Sequence, residues 1–191
     1  MKKIFAILAS AVLCMSLAFA QEDERIPGLY AVDGDLSTPL TVVNGSFSSS
    51  GFGIGVIEVS KRKILYSGAT SDTRCTGKFV LVCDMNKKAI VATFKKYDVF
   101  IKSMTPDNMI IIPLAVEKKK RVYDEGASLN GMNTQKRDRC NFSWQQISDN
   151  SYEITADLEP GEYAFVFKPA KLGEFEFNKV FDFTITAPGE E

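Results

Sequence analysis

Short apolar segments separated by turn-forming residues run through most of this chain, and their spacing predicts an all-β fold. The pattern is clearest in the last third. Cys140, Phe142 and Trp144 alternate with Asn141, Ser143 and Gln145, so a period of two places a cysteine and the single tryptophan on one core-facing side of a strand. Ser148-Asp149-Asn150 supplies a turn, and Tyr152, Ile154 and Ala156 continue on the next strand. Tyr163, Phe165 and Phe167 alternate with Ala164 and Val166. Phe181, Phe183 and Ile185 alternate with Asp182, Thr184 and Thr186. These two runs predict the inner and outer faces of a closing antiparallel sheet.

Earlier in the chain, 28–32 and 39–43 flank Asp33-Gly34-Asp35, where Asp-Gly readily supplies the positive φ of a tight hairpin. The full calcium-loop pattern is absent there, because Ser37 and Thr38 stand where an oxygen ligand and a glycine belong. Residues 44–55 are rich in Ser and Gly and read as a connector or a bulged edge. Gly51, Gly53 and Gly55 fall short of a phosphate loop, since position 56 is Val56. Segments 55–59 and 63–66 are expected to pair around Ser60-Lys61-Arg62. The continuous apolar run 79–83 reads as a central strand buried on both faces. Ile90, Phe94, Tyr97, Ile101 and Met104 recur every three or four residues and predict one short helix around 89–104. Thr105-Pro106-Asp107 ends it, and 109–116 resumes strand. Lys118-Lys119-Lys120-Arg121 reads as a solvated hairpin tip or a charged, protected edge.

The N-terminus adds an address. Lys2 and Lys3 precede the apolar run 4–19, which closes on Ala18-Phe19-Ala20, so 1–20 reads as a removable signal peptide and 21–191 as a single β-sandwich domain. The run is shorter than a bilayer span and is followed at once by Gln21-Glu22-Asp23-Glu24, which argues against a transmembrane anchor. Removing twenty residues from 191 leaves 171, enough for one core. It also leaves 21 basic against 24 acidic residues, a net charge of −3 that gives nucleic acid no basic face to bind. Cys14 leaves with the signal. An oxidising compartment then permits one disulfide among Cys75, Cys83 and Cys140. Extended chain at about 3.3 Å per residue holds Cys75 too far from Cys83, so a disulfide would join Cys140 with Cys83 or Cys75, and three buried thiols are the alternative.

The chemistry is defined by an absence, for the chain has no histidine. That removes Ser-His-Asp and Cys-His catalysis and His-ligated zinc. Three cysteines without a C-x-x-C pair do not make a zinc site, so no cofactor or metal is expected. Paired carboxylates remain, and Asp124, Glu125, Glu153 and Asp157 are the candidates for a glycan-active enzyme. Aromatic platforms for sugar rings are the other option, with Tyr66, Tyr97 and Tyr123 as surface candidates.

Leu158-Glu159-Pro160-Gly161-Glu162-Tyr163 precedes the Tyr-Ala-Phe-Val-Phe strand, and this L-x-P-G-x-Y spacing resembles the tyrosine corner of immunoglobulin-like sandwiches. The resemblance implies that the Tyr163 hydroxyl folds back onto upstream backbone, with Leu158, Pro160 and Gly161 shaping the turn. Together with Ile26-Pro27-Gly28-Leu29-Tyr30, Thr105-Pro106-Asp107-Asn108 and the lysine cluster, the chain resembles uncharacterised exported β-sandwich proteins of Bacteroides-type bacteria. That likeness implies fold and a periplasmic or surface location, and carries over no active site. The expected function is a non-catalytic module that binds another envelope protein or a glycan. A paired-carboxylate enzyme and a structural subunit of an envelope assembly are the alternatives.

Overall fold

The computed structural model describes residues 25–54, 57–83, 105–129, 132–133, 138–167 and 179–187. The leader expected over 1–20 and the helix expected around 89–104 lie outside the described residues. Fourteen strands follow in chain order: β1 (Gly28–Asp33), β2 (Leu36–Pro39), β3 (Val42–Asn44), β4 (Ser46–Ile54), β5 (Ile57–Ser67), β6 (Arg74–Cys75) and β7 (Lys78–Val82). They continue with β8 (Met109–Glu117), β9 (Lys120–Leu129), β10 (Met132–Asn133), β11 (Ser143–Ser148), β12 (Ser151–Thr155), β13 (Gly161–Phe167) and β14 (Lys179–Ile185). A single turn of 3-10 helix, Pro106–Asn108, leads into β8.

Two sheets pack together. The first has the order β11-β12-β7-β1-β2. The second has the order β3-β14-β13-β8-β9-β5-β4, with β10 beside β9 and β6 beside β14. Pairing is antiparallel throughout, apart from β6 on β14. β7 is the buried central strand that its apolar run predicts, held by β1 on one side and β12 on the other. Between the sheets, Leu29, Phe79, Leu81 and Ile154 meet Ile111, Phe165, Phe167, Phe181 and Phe183. Phe79 is the centre of this core, with ring centroids 4.8 Å from both Phe165 and Phe183. Edge-to-face geometry with Phe165, at 88°, sets positive ring edge against negative ring face.

The larger sheet rolls over on itself. β8 pairs with β13 through Met109–Leu114, and its last residues pair with β9 instead. β3 and β4 lie at opposite ends of the hydrogen-bonded order, yet only Gly45 separates them in the chain. The roll is therefore closed by chain continuity. A Cβ at position 45 would stand 2.4 Å from Ile64 Cγ2 and 2.8 Å from Tyr66 Cε1, so glycine is what lets the chain pass this corner. Inside the roll is a second core made of Ile64, Tyr66, Ile112, Leu114, Tyr123, Ala164, Val166 and Val180. The outer face that the alternation gives β13 and β14 is buried as well: one face packs against the first sheet and the other lies inside the roll.

Three local expectations are resolved as well. Residues 55–59 and 63–66 do not pair around Ser60-Lys61-Arg62, because β5 continues through those three residues and pairs with β4 and, with a register shift between Arg62 and Lys63, with β9. The Ser- and Gly-rich stretch takes the edge alternative without a bulge, as the nine-residue strand β4. Trp144 does share a face with buried Ile154, its register partner, but β11 is the lateral edge of its sheet. With no further strand to cover it, the indole is 43 % exposed and meets Tyr152 edge to face.

Two turns follow the sequence closely. Asp33 pairs with Leu36 across Gly34 and Asp35, and Gly34 takes φ +56°. Glu117 pairs with Lys120 across Lys118 and Lys119, which both have positive φ, 46° and 66°. Such a two-residue turn matches strand twist but crowds any Cβ, at about 1–2 kcal/mol per non-glycine residue in the left-handed region. The double change Lys118→Asn, Lys119→Gly is accordingly expected to stabilise the fold by about 1 kcal/mol. A higher urea midpoint at unchanged slope is the readout, and a lower midpoint would contradict it.

Candidate functional site

Arg121 does not belong to the solvated tip. Lys118, Lys119 and Lys120 are exposed, but Arg121 points into the roll and is 3 % exposed. Its guanidinium pairs with the Asp182 carboxylate through Nη1, lies 3.9 Å from Glu162 Oε2, and donates from Nη2 to the Ser67 carbonyl at 2.7 Å. Burial lowers the Arg121 pKa, and Glu162 is the largest influence opposing that shift.

The chain between β5 and β6 plugs this end of the roll. The Ser71 amide donates to Glu162 Oε2 at 3.0 Å, and the Thr184 hydroxyl donates to Glu162 Oε1 at 2.8 Å. The Ser71 hydroxyl donates to the Asp182 carbonyl at 3.1 Å. Both acids thus have their partners inside the protein. The cluster can hold β9, β13, β14 and the β5–β6 connection in one arrangement, and it is shielded from solvent, so it reads as a lock.

The sequence-stated carboxylates do not converge. Asp124 and Glu125 lie on β9, whereas Glu153 is on β12 and Asp157 follows it in the other sheet. Asp124 accepts from the Gly126 amide at 2.8 Å, Glu125 is buried and pairs with Arg62, and Glu153 accepts from Gln145. The acids that do meet are Glu162 and Asp182. Among the described residues, no group of three or more Cys, Asp or Glu is placed to hold a metal ion. The tyrosine platform is also corrected: Tyr66 and Tyr123 are buried inside the roll, and Tyr97 lies outside the described residues.

The corner is built as its spacing implies. The Tyr163 hydroxyl donates to the Glu159 carbonyl at 2.9 Å, and the Tyr163 ring lies over Gly161. Leu158 packs against the first core, and Pro160 sits in the turn before β13. A second corner of the same design was missed. In Pro27-Gly28-Leu29-Tyr30 the Tyr30 hydroxyl donates to the Ile26 carbonyl at 2.6 Å, with its ring over Gly28. The signal was the repeated Pro-Gly-x-Tyr, with each hydroxyl reaching the residue four positions back. One corner starts β1 and the other starts β13, so one stands in each sheet.

Cys75, Cys83 and Cys140 pack on the first core and form no disulfide, so of the two sequence alternatives the structure takes the thiols. Cys75 pairs with Ile185, opposite Gly161, and Cys140 bridges Ile111, opposite Phe165. Four residues along the strands is about 13 Å, beyond disulfide reach. Cys83 follows β7 in the other sheet and forms no disulfide with either. Burial pushes the Cys75 and Cys83 thiols up to about 11. A folded pKa above the unfolded one means that the native state keeps protons the unfolded state has released. Their contribution is present below about pH 8.5 and is lost as pH rises toward 11. Stability is expected to fall between those limits, and to fall less in Cys75→Ala/Cys83→Ala, as read from urea midpoints at pH 8 and pH 11. Equal slopes in both proteins would contradict this.

The open feature is the outer edge of β4. Ser46 through Gly51 and Gly53 are all exposed, and the strand contains no charge and no proline. Among the described residues no strand pairs with that edge. The other edges are short or interrupted: β2 has four residues ending in Pro39, β3 has three, and β11 has a register shift between Gln146 and Ser148. Behind β4, Lys61, Arg62 and Lys63 lie opposite Ser50, Ser49 and Ser48. Two of these charges are balanced, Lys63 by Glu117 at 2.7 Å and Arg62 by Glu125 at 3.5 Å. The Glu117 hydrogen bond raises the Lys63 pKa. The Arg62 guanidinium also lies 5.5 Å from the centre of the exposed Phe47 ring. The outward-pointing N–H and C=O groups of β4, on alternate residues, pair with no strand among the described residues and can accept another strand.

No protein-family model, no curated protein and no solved structure matches this chain. Among the described residues no helix is long and apolar enough to cross a membrane.

Proposed function

We propose that this protein is a non-catalytic exported β-sandwich that binds another protein of the cell envelope by adding a strand to β4. The observation that carries this reading is the uncharged, nine-residue edge, exposed at 46–51 and at Gly53. Native sheets usually blunt such an edge with lysine, proline or a bulge. The signal-like leader supports the export half of the reading, and the corner at Tyr163 supports the sandwich half. The fold offers a catalyst little, because its converging acids are engaged with Arg121, Ser71 and Thr184 inside the roll.

The test is affinity capture from native envelope, comparing the wild-type protein with Ser48→Lys/Ser50→Lys. Both serines are exposed, so the variant is expected to fold and to lose the captured protein, as charges on an edge oppose strand addition. Capture that is indifferent to these lysines would rule β4 out. A glycan is the second reading, favoured by the Trp144–Tyr152 aromatic pair, 5.5 Å between centroids on an open edge. Its signature would be envelope-glycan binding that Trp144→Ala abolishes and the β4 lysines leave intact.

A further inference from the structure

We propose that the strand received by β4 carries an aspartate or glutamate that pairs with Arg62; this rests on the reading of β4 as a docking edge. Ser49 and Arg62 are direct register partners, and Phe47 lies two residues from Ser49, so alternation puts all three on one face of the β4–β5 pair. Arg62 belongs to β5, yet its guanidinium lies 5.5 Å from the centre of the Phe47 ring on β4. The charge is therefore carried across the sheet toward the open edge. Ser49 is the residue between Arg62 and that edge, and a serine is small enough to leave the way clear.

The guanidinium is also held in place. Buried Glu125 approaches its Nε at 3.5 Å from β9, the neighbour of β5 on the side away from β4. A guanidinium offers five donors in a rigid fork, and one carboxylate at Nε does not fill it; the Arg62 side chain stays 59 % exposed. An arginine already ordered by an acid and a ring loses little rotamer freedom on meeting a second carboxylate. An added strand runs about 4.8 Å from β4 and turns alternate side chains to the face of Phe47 and Ser49. An acidic side chain beside Ser49 reaches Arg62, and an apolar one two residues away covers the exposed Phe47 ring. The face therefore selects an extended segment with an acidic and an apolar residue in alternate positions, and the same cation rejects a basic one. β4 has no acidic residue, so the edge of a second copy does not meet this requirement.

The probes are two short, capped, fluorescently labelled peptides of threonine and valine. One has a central glutamate with valine two residues to either side, and its twin has glutamine in place of the glutamate. Both are titrated at low salt with binding read as anisotropy. The wild type is expected to bind the glutamate peptide roughly tenfold more tightly, because an arginine–carboxylate hydrogen bond is added to the same strand pairing. Ser49→Glu supplies a carboxylate from β4 itself, directly opposite Arg62, and is expected to fold and to lose that preference. Arg62→Met is expected to lose it too. Equal binding of the two peptides by the wild type would overturn the proposal while leaving β4 as the docking edge, as would a preference that survives both substitutions. The glutamine twin reads strand addition alone. Its binding should disappear in Ser48→Lys/Ser50→Lys, whose lysines lie on the other face of β4 from Arg62. Binding that those lysines leave intact, or no binding of either peptide up to about millimolar concentration, would overturn docking through β4 and this proposal with it.

Discussion

Replacing Arg121 with methionine is expected to cost about 3–5 kcal/mol of folding stability, because it strands buried carboxylates without their counter-charge. Asp182 loses its ion pair, Glu162 keeps its donors from Ser71 and Thr184 but loses the nearby cation, and the Ser67 carbonyl loses a donor. The loss should be recovered in large part by the triple change Arg121→Met, Asp182→Leu, Glu162→Gln, since an apolar replacement of a whole buried ionic set is often neutral. Urea denaturation of the two variants and the wild type reads this directly. A single variant within about 1 kcal/mol of wild type would show that the cluster is not buried as described.

Truncation at the other core should be equally severe. Phe79→Ala is expected to cost about 3–5 kcal/mol, the range for removing a large buried aromatic ring. Phe79 is fully buried between Phe165 and Phe183, on the central strand of the first sheet, and cannot be replaced by solvent without opening both sheets. Phe79→Leu, which keeps most of the volume, should cost clearly less. The same denaturation measurement applies, with aromatic circular dichroism reporting the packing of Phe165 and Phe183. Equal effects of Ala and Leu would argue against a close-packed ring cluster.

These two predictions fall on opposite faces of β13 and β14, and the sequence announced only one of them. Phe165, Phe167, Phe181 and Phe183 alternate, and period-two reasoning placed them inward correctly. The intervening Ala164 and Val166 are also apolar, however, and a strand apolar at every position signals burial on both sides. Applied to β13, that signal would have marked the outer face that carries Glu162 as buried, and with it Asp182 on the paired strand β14. Arg121 was harder to place. A local basic run reads as a hairpin tip, and three of its four residues are one; only the register of β9 against β5 and β8 turns the fourth inward. Long-range pairing of this kind leaves no trace in local pattern. The same limit explains β4, whose Ser and Gly content resembles a connector until Gly45 and the roll present it as a strand. By contrast, the Tyr163 corner, the Asp33-Gly34 hairpin and β7 were legible because their causes are local: a fixed spacing, a positive φ, an apolar run.

Docking through β4 is the account's central claim, and amide hydrogen exchange over 46–54 tests it most directly. The protein would be compared in dilute isolation and in its native envelope fraction. The outward amides of β4 should exchange rapidly when the protein is dilute and become protected in the envelope, while those paired with β5 change little. Outward amides that exchange equally fast in both conditions would contradict the account.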